Sequence, residues 1–291
     1  MKFLLLACVA AFAALSAAAA SAAGDKAVVA RRDAFGGACA KCELSGRKLA
    51  GAHFLGADFS GAALVGSDLR QARFLGSVFA GADLSRADLS GASFLGANFA
   101  GANLSNARLR GAEAHGVSFA GARLDGADLQ DVDALGANFS GAALRKASLH
   151  GAALTGSTFS RVDARGADFT GAEMHGAVLN GGRFDGASFR GAELESAMLS
   201  GASFNGADFE GADMDRANLA GADFSHARGL DQDQLDDACA DGRTRVPPGF
   251  TTRLCAARLM VRNPPPLPPA PPVPPAASPA PAAPRFLVAE P

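Results

Sequence analysis

This chain of 291 residues has neither Trp nor Tyr, a formal net charge of only −2, and five His and five Cys. A charge balance so near neutral excludes a nucleic-acid binder driven by bulk electrostatics. The five histidines, at 53, 115, 150, 175 and 226, are scattered on outward positions. They form no oriented nucleophile and base of the kind an enzyme requires, so no catalytic residue is assigned. Long apolar runs are scarce: the clear one extends from Phe3 to about Ala20. Through the middle of the chain the usual periodicities are also missing, since apolar residues recur neither near 3.6, as on a helix, nor near 2, as on a half-buried strand.

What is present is a five-residue phrase. Every fifth residue from Leu44 through Leu49, Phe54 and Phe59 to Phe224 is Leu, Phe, Met or, three times, Ala, which makes 37 consecutive copies without an insertion. Two places before each centre stands a small residue, nearly always Ala, and two places after it stands Gly in most copies. Such regular repetition reads as a solenoid whose units gain a core only by stacking.

Copies such as Ala57-Asp58-Phe59-Ser60-Gly61, Ala102-Asn103-Leu104-Ser105-Asn106 and Ala207-Asp208-Phe209-Glu210-Gly211 closely resemble the pentapeptide-repeat family, over roughly Cys42 to Ala227. The resemblance implies an all-β fold, a right-handed quadrilateral parallel β-helix. Four pentapeptides make one coil, with the centre and the small residue two before it pointing inward. The phenylalanines support a four-sided coil independently. Centres 54/59, 74/79 and 94/99 recur every 20 residues, and Phe119, Phe139 and Phe159 keep that beat. The pattern then jumps half a coil to Phe169, 184/189, 204/209 and 224, so Phe columns are expected first on one side of the core and then on the opposite one. Ala114, Ala134 and Ala164 are under-filled centres, and Val117 is placed to fill space near the first.

The expected organisation follows in chain order. Residues 1–23 read as a signal peptide, with Lys2, the apolar run and the small residues Ser21, Ala22 and Ala23. Leu5-Leu6-Ala7-Cys8 looks like a lipoprotein box but lies too near the N-terminus to follow a full apolar segment. The expected location is therefore periplasmic or secreted, without membrane insertion. A linker, 24–38, leads into the β-helix, 39–227, of about nine coils. A helical cap segment, 228–262, follows, with Asp231 as N-cap, Gln234 as its N3 partner and Leu230 and Leu235 as the staple. The short helix, to about Ala240, offers Leu235, Ala238 and Cys239 to the open end of the coil. The tail, 263–291, is Pro/Ala-rich and reads as an extended spacer, or as a tether that ends on the apolar tag Phe286-Leu287-Val288.

Beyond Cys8 the chain has four cysteines, Cys39, Cys42, Cys239 and Cys255, an even count suited to an oxidising compartment. About nine coils at ~4.8 Å make a rod near 43 Å, whereas bridged cysteines need Cα atoms within about 7 Å. The two ends therefore cannot be linked, which leaves Cys39–Cys42 and Cys239–Cys255. A redox role for the Cys-x-x-Cys has no βαβ pattern around it, and Glu43 after Cys42 excludes a haem attachment.

Sorted by the four sides, the outward residues give three candidate surfaces. The sides are named here by their first centres: first (Leu44), second (Leu49), third (Phe54) and fourth (Phe59). On the third side Glu173, Glu193 and Asp213 stack at 20-residue spacing, beside His175, Glu195 and Asp215. This acidic ladder is a solvated face, a weak oxygen-ligand cation site or a dock for a basic partner. On the same side Leu55, Leu75, Leu95 and Leu135 stack in an outward column interrupted by His115. That stripe suits a partner strand or loop, unless Leu135 turns inward to relieve Ala134. The first three sides carry twelve, twelve and nine charged residues, whereas the fourth has two, Asp58 and Arg161. Its remaining outward positions are short, with Val78, Ala100, Ala120, Val178 and Met198 among them. Depletion of charge is a mark of interface cores. It points to a protein partner, a cell-envelope surface, or self-association as a homodimer.

The function expected is thus a non-catalytic, extracytoplasmic scaffold or protein-binding rod, with no cofactor and no nucleic-acid partner. The alternative that the family resemblance implies is a DNA-mimicking, topoisomerase-binding rod. The mixed charge, with Arg108, Arg110, Arg145 and Lys146 among the acids, and the export signal argue against it.

Overall fold

The structure, a computed structural model, describes residues 37–255. The expected signal peptide, most of the linker, the last seven residues of the cap segment and the Pro/Ala tail lie outside the described residues.

Each pentapeptide is a short extended piece followed by a tight turn. In the extended piece the small residue and the centre point inward and the residue between them points out, which is strand alternation over three residues. The turn closes with a backbone bond from the next small residue to the centre, as from Ala62 N–H to the Phe59 carbonyl at 3.0 Å. Its third residue has positive φ, as at Gly61 with 62°. Gly adopts that conformation at no steric cost, which is why Gly recurs there.

Coils join by a parallel ladder at a spacing of 20 residues, unbroken from Ala38↔Asp58 to Asp208↔Arg228. The outward residue between small residue and centre is the bridging one, so it stands at the middle of its side. On the third side two copies extend to full strands, β1 (His53–Leu55) and β2 (Arg73–Leu75), paired His53↔Arg73, Phe54↔Phe74 and Leu55↔Leu75. Within the ladder Leu64 N–H donates to Asp83 at 2.7 Å, Asp83 N–H to Ala62 at 2.9 Å, and Gly61 N–H to Ala80 at 2.9 Å. The backbone's polar groups are thus spent between coils, as burial beside an apolar core requires.

The core is a single cluster of inward Ala, Leu, Phe, Met and Val. Phe59, Phe79, Phe99, Phe119, Phe139 and Phe159 form one stacked column, with centroids 4.5 to 5.3 Å apart. Phe159 meets Phe169 edge-on at 5.8 Å across the core. From there the columns run through Phe169–Phe189–Phe209 and Phe184–Phe204–Phe224. The half-coil jump in sequence is therefore a transfer of the aromatic column from one wall of the core to the opposite one. The buried polar side chains are Ser67, Ser77, Ser157 and Gln234. Ser157 donates to the Ala134 carbonyl at 2.7 Å and accepts from Ala137 N–H at 3.1 Å, so a hydroxyl stands beside that small centre. Leu135 stays outward at 40% exposure and does not turn in to fill it.

After Arg228 the ladder loses its beat. Helix α1 (Gln232–Asp237) takes the place of a third-side strand, opened by the Asp231–Gln234 capping box. It buries Leu235 and Ala238, and Leu230 packs against the core. The chain returns to the ladder at Asn218↔Cys239 and Asp223↔Arg245, bridges that span 21 and 22 residues, and Ala240↔Leu254 follows at 14. The helix stops at Asp237, short of Cys239.

Candidate functional site

The fourth side is one continuous ladder, Asp58↔Val78↔Asn98↔Ser118↔Asn138↔Thr158↔Val178↔Met198↔Asn218. Val78, Ala100, Ala120 and Val178 are half-buried, and Met198 is the most open of the set at 39%. Its amides are turned onto their own backbone. Asn98 Oδ1 accepts Ala100 N–H at 2.9 Å, Asn138 accepts Ser140 N–H at 2.9 Å, and Asn218 accepts Ala220 N–H at 3.0 Å. Asp58 accepts Ser60 N–H at 2.9 Å, and the hydrogen bonds from Ser60 hold its carboxyl below the usual range. The wall is thereby almost without charge, and five of its turn N–H groups, those of Ser60, Ala100, Ser140, Ser200 and Ala220, are capped by side-chain oxygens.

This local bond explains a feature that the sequence reading left without a role. Asp or Asn directly before the centre caps the turn N–H two residues on, as at Asp83–Ser85, Asp88–Ser90 and Asp168–Thr170 too. The recurrent Asp/Asn in the repeat was the available signal, and it is an Asx-turn signature.

On the third side Leu55, Leu75 and Leu95 stand out at 50%, 49% and 38% exposure, with Leu135 further along. His115 interrupts them, its Nε2 2.7 Å from Asp133 Oδ2 without hydrogen-bond alignment. The acidic ladder is also assembled, through Glu173↔Glu193↔Asp213. Among the described residues no group of three or more His, Cys, Asp or Glu is placed to hold an ion. The reason is that the carboxylates are drawn into pairs instead of converging. His175 lies 2.7 Å from Glu193 and 3.6 Å from Glu195, and Arg216 engages Glu195 and, at 3.4 Å, Asp215. Glu173 and Asp213 stand apart on the same column.

The cysteines meet at the two ends. Cys39 and Cys42 are joined with Cα atoms 5.2 Å apart, and Cys239 and Cys255 with Cα atoms 4.5 Å apart. Cys39 occupies a centre position of the first coil and is buried. The sequence reading missed Gln234 as a structural donor. Its amide gives hydrogen bonds to the carbonyls of Phe209 at 3.0 Å and Ala212 at 2.8 Å. The first also accepts the turn bond from Ala212 N–H, whereas the second would be left unpaired by the missing strand.

Among solved structures the chain is similar to HetL, a pentapeptide repeat protein involved in heterocyst differentiation regulation from the cyanobacterium Nostoc sp. strain PCC 7120. The identity is 30%, the TM-score is 0.60, and the match covers 70% of this chain and 90% of that one. It is also similar to full-length QnrB1, a plasmid-mediated fluoroquinolone resistance protein, at 21% identity and a TM-score of 0.25, covering 72% of this chain and 94% of that one. Among curated protein sequences none matches. The family description "Pentapeptide repeats" matches in 8 copies, from residues 39–76 at the first to 192–228 at the last. With its ladder, its turns and its core all built on that repeat, the chain belongs to the pentapeptide-repeat family.

Proposed function

We propose that this pentapeptide-repeat scaffold is a non-catalytic rod that works outside the cytoplasm and holds a protein or cell-envelope surface against its fourth side. The observation that carries the reading is the wall itself. Two charged residues stand on it against nine to twelve on each other side, and its amides are closed onto the backbone. A partner that covers such a wall desolvates little charge, a condition under which burial favours association. The extracytoplasmic assignment rests on the leader-like residues 1–23 and on the even set of four cysteines beyond it.

Two experiments test it. Crosslinking in intact cells followed by pull-down should recover a partner with the native chain and lose it with Ala100→Glu/Ala120→Glu. Retention of the partner by that double variant would dismiss the fourth side as the contact. Subcellular fractionation should find a cleaved chain outside the cytoplasm. An uncleaved cytosolic chain would instead favour the DNA-mimicking reading, which the acidic column of the third side supports.

A further inference from the structure

The first and third sides are two pentapeptides apart in a coil of four, so they face in opposite directions. The bridging residues form a column down the middle of each. Consider a second copy displaced sideways, parallel and without sliding, so that its third side meets the first side of its neighbour. Each central residue then faces the one ten positions earlier, half a coil or ~2.4 Å away along the axis.

Three such meetings join opposite charges: Asp83 with Arg73, Arg123 with Glu113, and Arg183 with Glu173. The sign inverts along the column and the match inverts with it. All of these but the half-buried Asp83 are exposed. None of the six takes part in an ion pair among the described residues.

The charges of the same columns that would face a neutral residue are paired within their own chain. Asp133 has His115, Asp163 has Arg165 and Glu193 has His175. Among the described residues one like-charged meeting remains, Asp223 with Asp213, and there Arg245 stands 3.2 Å from Asp223; Glu43 would face a position outside them. Sliding by one coil one way keeps two opposite-charge meetings, Arg123 with Asp133 and Arg183 with Glu193, but sets Asp163 against Glu173. Sliding the other way keeps no Arg–acid meeting and sets Asp163 against Asp133 and Asp223 against Glu193, so the in-register arrangement has the most matches.

We infer that the chain associates with further copies of itself side by side, parallel and in register, first side on third side. The contact is heterologous and does not close on itself, so it builds rows of rods rather than a dimer. The second and fourth sides stay on the outer surfaces of such a row. The inference therefore stands independently of the partner proposed for the fourth side.

Sedimentation of the purified full chain across protein concentration and salt tests it. Association should grow with concentration at low ionic strength and fade as salt screens exposed pairs. Arg123→Glu/Arg183→Glu should sediment as monomer, and so should Glu113→Arg/Glu173→Arg, each with an unchanged circular dichroism spectrum. An equal mixture of the two should regain association, because each supplies the charge that the other's reversed side now needs. A native chain that is monomeric at low salt overturns the inference. So do charge-reversed variants that associate like the native chain, a mixture that stays monomeric, or association abolished by Ala100→Glu/Ala120→Glu and by neither charge reversal.

Discussion

At the scale of single residues the repeat is governed by the corner of each turn. Most corners carry Gly, but nine in the ladder do not: Lys41, Gln71, Arg86, Asn106, Asp131, Lys146, Arg161, Ser196 and Arg216, with φ between 55° and 59°. A side chain there is unfavourable by roughly 1–2 kcal/mol per residue, partly offset by the smaller entropy it loses on folding compared with Gly. Arg86→Gly should therefore raise stability by about 0.5–1 kcal/mol in denaturant unfolding; a lower midpoint would show that the Arg86 side chain stabilises more than its backbone strain costs. The reverse change is harsher where a neighbour leans over the corner. A Cβ on Gly91 would run into the Gln71 amide, whereas one on Gly101 meets nothing. Gly91→Ala should thus destabilise more than Gly101→Ala, and Gln71→Gly should remove the difference between them, as thermal unfolding of the four proteins would report.

At the scale of elements the C-terminal end shows how a solenoid can be closed. Helix α1 has six residues, too few to be stable alone. It is held by Leu235 beneath it and by Gln234, which replaces the absent strand as donor to the Ala212 carbonyl and adds a second bond at Phe209. Gln234→Ala leaves the Ala212 carbonyl unpaired at a cost of about 1–3 kcal/mol, and hydrogen exchange should show the loss first in residues 209–240. Exchange that quickened evenly along the rod would contradict this local role. The loop after the helix is held by Asp241, whose carboxylate accepts N–H groups from Arg243, Thr244 and Gly221 at 2.8 to 3.1 Å. Those bonds, from Arg243 foremost, lower its carboxyl to about 2. A depressed folded pKa stabilises above the usual carboxylate range and is lost as pH falls through the folded value. The amide resonances of Gly221 and Arg243 should therefore titrate with a midpoint near about 2, and Asp241→Asn should remove that titration.

At the scale of the whole molecule each coil touches only its neighbours, so stability is a sum over coils and interfaces and opening starts at the ends. The N-terminal coil is already the less covered, with Leu49 and Phe54 at 9% and 7% exposure against 0% for Phe99. Phe99→Ala, which removes a ring stacked on both Phe79 and Phe119, should cost about 3–5 kcal/mol. Phe54→Ala should cost less, because a cavity at a fraying end can relax. Equal losses in calorimetry would mean that the rod unfolds as one unit. The disulfide Cys239–Cys255 closes the opposite end, and its reduction should cost about 3 kcal/mol for a loop of that length. Peptide mapping should recover it together with Cys39–Cys42; a Cys39–Cys239 linkage within one monomer would be incompatible with the rod.

The repeat by itself pointed to a solenoid, because a period of five fits neither helix nor strand, and its resemblance to the pentapeptide-repeat family implied the four-sided coil with two inward residues per copy. The 20-residue recurrence of Phe likewise placed the aromatic columns, since stacked coils put such residues directly over one another. Asp231, Gln234 and the paired cysteines were legible for the same reason, being local in chain or confined to one end. What only the tertiary structure decided concerns side chains with a choice of partner. Whether His175 and Arg216 break up the acidic column, or Leu135 turns inward, depends on distances between coils and not on composition. Gln234 could be read as a cap partner, but its bonds to Phe209 and Ala212 exist only because the helix lies over the last coil. The charges that remain without a partner could be recognised only after every intramolecular pair had been found, because an ion pair is set by approach in space across coils 20 residues apart.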